Sequence, residues 1–523
     1  MNANRTDENP IEDVPDPRRW LILLVMTGSL AMVMLDTTIV AVSLPSIQAN
    51  LPGVSQNVLE WVIVAYMVVL ASFMALGGHL GDLFGKPRMF FIGVLGFGVS
   101  SFLCGLAWNG SSLIIFRVIQ GLFAVIMQPA SSAIVIGSFA PQDRGKAMAV
   151  YAGIPLLFLT AGPVLGGVIT EYASWRYCFL INVPIAVTVA IAVLILRPGN
   201  PMSRRGAFDW WGAILLGTGL PSLIIPIQQS SVWGWESPWT IGVIILGLMI
   251  LTIFVWRELK VDDPIISLRL FADKVFLGDA ILLFITQASV TGITIFIAIH
   301  LQVVMGFTPD QAGLAMLPVL VPAAVMIHFA GRWYDRSGGR RPVAVGGVIV
   351  TAGLGVLATG TGMQIYLVMA IGLGMIGMGI PFVQLPANTD GMGRVDSRKR
   401  GMASGVLQTC RQFGAAIGIA VMGAVIAGVQ NGLMKKEDAG SGPGDGEQLS
   451  LAREAARGEL PKLEALRETD PELAVVIANI VSDGIVAGLW VATIMASSII
   501  IIAFVFLETT AVSMKKSVTR NSS

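Results

Sequence analysis

The chain has 523 residues, of which 54% are hydrophobic and 13% charged, with a formal net charge of +1. With a mean hydropathy of +0.75 it carries too few charges to cover a soluble surface of this size, so a water-soluble globular protein is excluded. The expected class is an all-α polytopic membrane protein, because lipid offers no partners for free backbone groups and each crossing needs about 20 mainly apolar helical residues.

Fourteen apolar runs of that length follow one another, starting near Trp20, Val58, Met89, Ser112, Ala147, Tyr177, Trp210, Pro238, Val275, Asp310, Pro342, Ile365, Ala403 and Gly484. The segment before the first run holds Asp7, Glu8, Glu12, Asp13 and Asp16 and lacks a cleavable signal pattern, so the first run is expected to be retained as a span. That run carries Leu35-Asp36-Thr37-Thr38 near its middle, where a carboxylate is costly unless it faces a cavity or a partner. The second begins with Glu60-Trp61 and ends in a polar, glycine-marked turn, Gly78-His79-Leu80-Gly81-Asp82-Leu83-Phe84-Gly85-Lys86-Pro87-Arg88. The fourth contains Arg117-Val118-Ile119-Gln120-Gly121, and the fifth contains Gly162-Pro163 followed by Gly166-Gly167. Small residues at that density let helices approach closely, and prolines bend them. The sixth opens with Trp175-Arg176-Tyr177 and holds Asn182-Val183-Pro184. A linker with Pro198, Pro201, Arg204 and Arg205 then leads to Asp209-Trp210-Trp211-Gly212, and the seventh and eighth runs have no counterpart elsewhere in the chain.

The second half repeats the first. Gly331-Arg332-Trp333-Tyr334-Asp335-Arg336-Ser337-Gly338-Gly339-Arg340-Arg341 follows the first turn at nearly the same interval at which Gln384 follows Gln128 and Arg400-Gly401 follows Arg144-Gly145. Two six-helix halves plus two inserted central helices, fourteen transmembrane helices in all, are therefore expected. The divisions read from the chain are a tail over 1–19, a six-helix bundle over 20–197, a linker with the inserted helices over 198–274, a second bundle over 275–507 and a tail over 508–523. The second bundle includes an outer loop, 433–483, whose middle, Leu449 to Leu466, reads as short helices joined at Pro461. Most of the 34 Lys and Arg residues fall in alternate connections. By the positive-inside rule this puts both termini and both repeated turns in the cytoplasm, in a multi-pass protein of the cell membrane. Cys104, Cys178 and Cys410 all fall in apolar runs and suggest no disulfide framework.

Together these residues resemble the major facilitator superfamily, and within it the fourteen-span drug:proton antiporters of the EmrB/QacA type, over almost the whole chain. The turn at Gly78 looks like that superfamily's loop signature, Arg117 to Gly121 like its proton-linked fourth-span motif, and Gly162-Pro163 with Gly166-Gly167 like the antiporter motif of the fifth span. Leu35-Asp36-Thr37-Thr38 with Leu44-Pro45, Trp175-Arg176 with Asn182-Val183-Pro184, and Asp209-Trp210 with Gly212 resemble features of the fourteen-span branch. The resemblance implies the major facilitator fold and a proton-coupled exporter of amphipathic or lipophilic compounds working by alternating access. The alternative on the same fold is a proton-coupled importer of a small organic solute. Two positions depart from the pattern: Leu83 stands where a basic residue is usual, and Glu60 where glutamine is common.

Asp36 and Arg117 are the candidates for proton coupling. Asp36 either carries a proton or a cation, or is hydrogen-bonded to Thr37 or Thr38 for packing alone; Arg117 either holds and releases a carboxylate, or clamps backbone carbonyls. Glu60 either recruits protons or substrate at an outer mouth or is a solvated interfacial acid. Gly78, Asp82, Gly85, Lys86, Arg88, Gly331, Asp335, Arg336 and Gly338 are assigned to gating, and Gly162, Pro163, Gly166 and Gly167 to the antiporter motif. Asp279, five residues after Lys274, is expected near the inner surface as a solvated group rather than a functional group lining the cavity, a choice the sequence leaves open, while Arg411 faces either the cavity or the interface. His79, His300 and His328 are not clustered, so no metal site is expected. Most of the 24 Met and 23 Phe are packing or lipid-facing residues, a minority serving adaptable binding. No Gly-x-x-x-x-Gly-Lys-Ser/Thr occurs and no polar catalytic cluster stands out, so neither ATP drive nor an enzyme is indicated. The expected energy source is a proton gradient without a cofactor. The expected partners are the lipid bilayer and a small-molecule substrate, with no nucleic acid.

Overall fold

The computed structural model describes residues 16–51, 56–199, 208–229, 233–234, 237–261, 264–307, 309–396, 399–440 and 466–508. Among these residues there is no strand; every long element is a helix, as a chain must be when its backbone has to satisfy its own hydrogen bonds in lipid. The helices are α1 (Arg19–Asn50), α2 (Gln56–Phe84), α3 (Lys86–Gly105), α4 (Gly110–Ser138), α5 (Arg144–Tyr172), α6 (Arg176–Leu196), α7 (Trp210–Gln228) and α8 (Pro238–Glu258). They continue as α9 (Lys274–Ile299), α10 (Leu317–Ser337), α11 (Arg340–Gly362), α12 (Tyr366–Gly393), α13 (Arg400–Gly440) and α14 (Pro471–Phe506). Thirteen are long and apolar enough over their described residues to cross a membrane. The remaining one, α5, is 29 residues long and includes side chains outside the described set.

Local chemistry sets the boundaries. Asn109 accepts from the Ser112 amide at 2.8 Å to cap α4, and Asp209, Asp273 and Asp470 cap α7, α9 and α14 in the same way. α2 stops at Phe84 because Gly85 adopts a φ of 94°, and α10 stops at Ser337 before Gly338, φ 73°; both conformations favour glycine. Helix α6 breaks at Ile181, where Pro184 has no N–H to give the Leu180 carbonyl one turn back.

Two expectations change. The polar stretch from Gly78 to Phe84 is not a turn but the last part of α2, and the reversal is confined to Gly85. His79, Asp82 and Lys86 are buried rather than solvated, so the helix continues through them. The last span starts at Pro471 rather than near Gly484, and α13 runs on to Gly440, so the described ends of the expected outer loop are helical. The expected short helices of Leu449 to Leu466 fall almost wholly outside the described residues.

The packing repeats as the sequence does. In the first half α1 lies on α5 and α6, α4 on α2 and α3, and α3 on α6; in the second α9 lies on α13 and α14, α12 on α10 and α11, and α11 on α14. Across the halves α2 packs on α13 and α10 on α5, two contacts that a twofold rotation exchanges. The inserted α7 and α8 pair with each other, and α7 rests against α2 and α13 outside the two bundles.

Candidate functional site

Asp36 lies midway along α1 and is 0% exposed, and Arg117 on α4 is 1% exposed. Two such groups persist in an apolar bundle only as a satisfied pair. Arg117 Nη1 donates to Asp36 Oδ2 at 2.6 Å and to Gln120 Oε1 at 2.7 Å, while its Nε donates to the Val62 carbonyl at 3.1 Å. The other carboxylate oxygen, Oδ1, accepts from Gln120 Nε2 and from Asn182 Nδ2, each at 3.1 Å. Both amides also donate to Ser101 Oγ. The guanidinium sits over the Tyr66 ring at 4.1 Å. Five helices of the first half therefore meet at one buried polar node. Thr37 and Thr38 donate to the carbonyls of Met34 and Leu35 rather than to Asp36, so the carboxylate is not held by its helix neighbours. Arg117 both clamps a carbonyl and pairs a carboxylate.

The sixth helix of this half reaches the same place. A Cβ at Gly162 on α5 would overlap the Thr38 side chain, and one at Gly166 would stand 3.1 Å from the Ile39 carbonyl. These two glycines press α5 against the turn of α1 that presents Asp36. Gly167 has open space around it, and the Pro163 and Glu60 side chains lie outside the described residues.

A second group of residues closes the end of the bundle that holds the Gly85 and Gly338 turns, here termed the turn end. Asp82, at the end of α2, accepts from the Gly401 amide at 3.0 Å, the Met402 amide at 2.7 Å and Lys86 Nζ at 2.8 Å. It caps the first turn of α13 in the opposite half, where free amides and the helix dipole favour an anion. Its counterpart Asp335 accepts from the Gly145 amide at 3.0 Å, in the first turn of α5. Glycine is required at both crossings, since a Cβ at Gly401 would lie 2.5 Å from the Gly78 carbonyl and one at Gly331 2.5 Å from that of Gly145. Ser132 and Ser404 share a 2.6 Å hydrogen bond between the halves nearby. Arg88 and Arg336 are exposed, and Leu83 is buried. The two clasps differ instead through Lys86, whose counterpart in the repeat is Gly339.

Asp279 corrects its sequence reading. It lies near the turn end as expected, yet it is 1% exposed rather than solvated. Arg411 is half-buried within α13, within electrostatic reach of Tyr151 of α5. Among the described residues no three His, Cys, Asp or Glu side chains stand together as metal ligands. Sequence reasoning missed Ser101 and Tyr66 as partners of the node and undervalued Gln120 and Asn182. Gln120 was findable, since three residues from Arg117 places it on the same helix face.

Comparison with known proteins agrees with this architecture. The model of the Major Facilitator Superfamily matches residues 26–419. The chain is 32% identical over 419 residues to the puromycin resistance protein of Streptomyces alboniger, covering 79% of this chain and 83% of that one. It is 29% identical over 414 residues to the tetracenomycin C resistance and export protein of Streptomyces glaucescens (78% and 76% covered). To the multidrug resistance protein Stp of Mycobacterium tuberculosis it is 31% identical over 412 residues (78% and 76% covered). Among solved structures, the human organic anion transporter MFSD10 (TETRAN) superposes with a TM-score of 0.58 at 14% identity, covering 92% of this chain and 100% of that one. The chain belongs to the major facilitator superfamily, a family of membrane transporters.

Proposed function

We propose that this chain is a proton-coupled secondary exporter of amphipathic or lipophilic compounds, a multidrug or antibiotic efflux transporter and not an enzyme. The observation that carries the coupling is the fully buried Asp36–Arg117 pair at the centre of the first half. Relatives named for resistance to, or export of, puromycin, tetracenomycin C and multiple drugs support the direction and the substrate class. The Lys and Arg bias supports a cell-membrane protein whose turn end and termini are cytoplasmic. The units that rock against each other are residues 20–197 and 275–507, with 198–274 as linker and inserted pair.

In this reading the structure's conformation, closed at the turn end, admits protons from outside. Protonation of Asp36 removes one half of the ion pair, frees Arg117 and loosens the node against which α5 packs. The clasps at Asp82 and Asp335 then hold or release the turn end as the halves rock. No cofactor is needed, because one charge crossing 100 mV supplies about 2.3 kcal/mol, roughly a fifty-fold gradient. The test is a toxicity panel in cells expressing the protein, with and without a protonophore. Protection that the protonophore abolishes is the expected result. Proton flux in the same direction as substrate would replace the exporter by an importer.

A further inference from the structure

The second half contains a buried acid that the node does not use. Asp279, in the second turn of α9, is 1% exposed, and neither of its carboxylate oxygens has a hydrogen-bond partner. Its Oδ2 lies 3.5 Å from the point where a Cβ on Gly391 would stand, beside Asp390 of α12. Asp390 is 4% exposed and accepts from Tyr334 Oη of α10 at 3.2 Å and from Arg394 Nε at 3.2 Å. Arg394 also donates to Glu508 at 3.2 Å and stands 3.9 Å from Asp273, the cap of α9.

One guanidinium thus serves Asp390, Glu508 and Asp273, and Asp279 has none of its hydrogen bonds. From α13 the group packed against this corner is apolar, Leu407. An ionised Asp279 would be a desolvated charge beside another carboxylate, whereas the protonated acid carries no such penalty. Packing does not demand an acid here: at the interval that relates Gln384 to Gln128, Asp390 corresponds to Ile134, a buried apolar residue. A cavity of about 310 Å³ lies alongside, its lining including Arg269, Asp273, Phe276, Arg394, Asp396 and Lys399. Phe276 is one turn from Asp279, and Arg394 one turn from Asp390.

We propose that Asp279, with Asp390 beside it, is a second proton-binding site of the transporter, in the half opposite the Asp36 node. It holds a proton while the turn end is closed and gives it to water in the Arg394-lined cavity when that end opens. On release the carboxyl O–H bond breaks, the proton leaves as hydronium, and water and Arg394 stabilise the carboxylate. The direction of release rests on the exporter reading above; the protonation itself does not.

The first measurement is infrared spectroscopy of the full chain in liposomes at neutral pH, comparing wild type, Asp279→Asn and Asp36→Asn. The carbonyl stretch of a protonated, weakly hydrogen-bonded carboxyl should be present in wild type and Asp36→Asn and lost in Asp279→Asn. Identical spectra for wild type and Asp279→Asn would overturn the site, whether or not the protein exports drugs. Asp279→Leu gives a second neutral side chain, and folding of either variant is verified by its helical circular dichroism. The second measurement follows the distance between spin labels at Phe84 and Arg332 on the turn end as pH is raised. Wild type should shift toward the open population, and Asp279→Asn should lose most of that shift. A full shift in the variant would overturn the release step.

Discussion

Replacing Asp36 by asparagine removes one charge from a pair in which both partners are withdrawn from solvent. Asparagine keeps the shape and one carbonyl, so it can still accept from Gln120 or Asn182, hydrogen bonds worth about 1 kcal/mol each. What it cannot do is neutralise Arg117, which stays buried under Tyr66 with its charge uncompensated. Breaking a buried pair in this way costs about 3–5 kcal/mol, a factor of roughly 10² to 10⁴ in population. The expected outcome is a clear fall in the Tm of the purified protein in detergent, together with loss of protonophore-sensitive efflux. Arg117→Gln alone should do the same, and the double variant should cost much less than the sum of the two. Additive costs, with a coupling under about 0.5 kcal/mol, would show that the pair is not an energetic unit. Wild-type transport by Asp36→Asn would refute its role in coupling.

Arg117→Lys keeps the charge but loses the fork that reaches Val62, Asp36 and Gln120 at once, so efflux should fall at least about tenfold; near-normal transport would reduce the role to bare charge. Asp82→Asn should open the turn end more than Asp335→Asn does, because only Asp82 also neutralises a buried lysine. Accessibility of a cysteine reporter at Gly137 to a membrane-permeant reagent would rank the two, and equal effects would count against it. Gly162→Ala should force α5 off Thr38 at a cost of about 1–3 kcal/mol of overpacking, seen as a lower Tm and weaker efflux. Pairing it with Thr38→Ala, which removes the hydroxyl that the new Cβ would overlap, should restore part of both.

How much of this was legible differs from residue to residue. Fourteen helices, a twofold repeat, two inserted helices and the placing of Asp36 and Arg117 inside the apolar spans all follow from residue chemistry in a lipid solvent, where long apolar runs must be helices and an internal charge must have a partner or a cavity. The glycine pattern of α5 was visible, but not that its purpose is contact with the turn of α1 carrying Asp36. Gly78 to Arg88 looked like a solvated turn because its residues are polar; the fold buries Asp82 against the first amides of α13, some 320 residues along the chain. Asp279 looked solvated because Lys274 is close in sequence. Burial of a side chain depends on what α10, α12 and α13 place over it, and no local pattern contains that. The sequence by itself determined the elements, their symmetry and which charges lie inside the apolar spans. Only the tertiary structure decided which donors meet which acceptors, because helices distant along the chain converge through packing that a one-dimensional pattern does not encode.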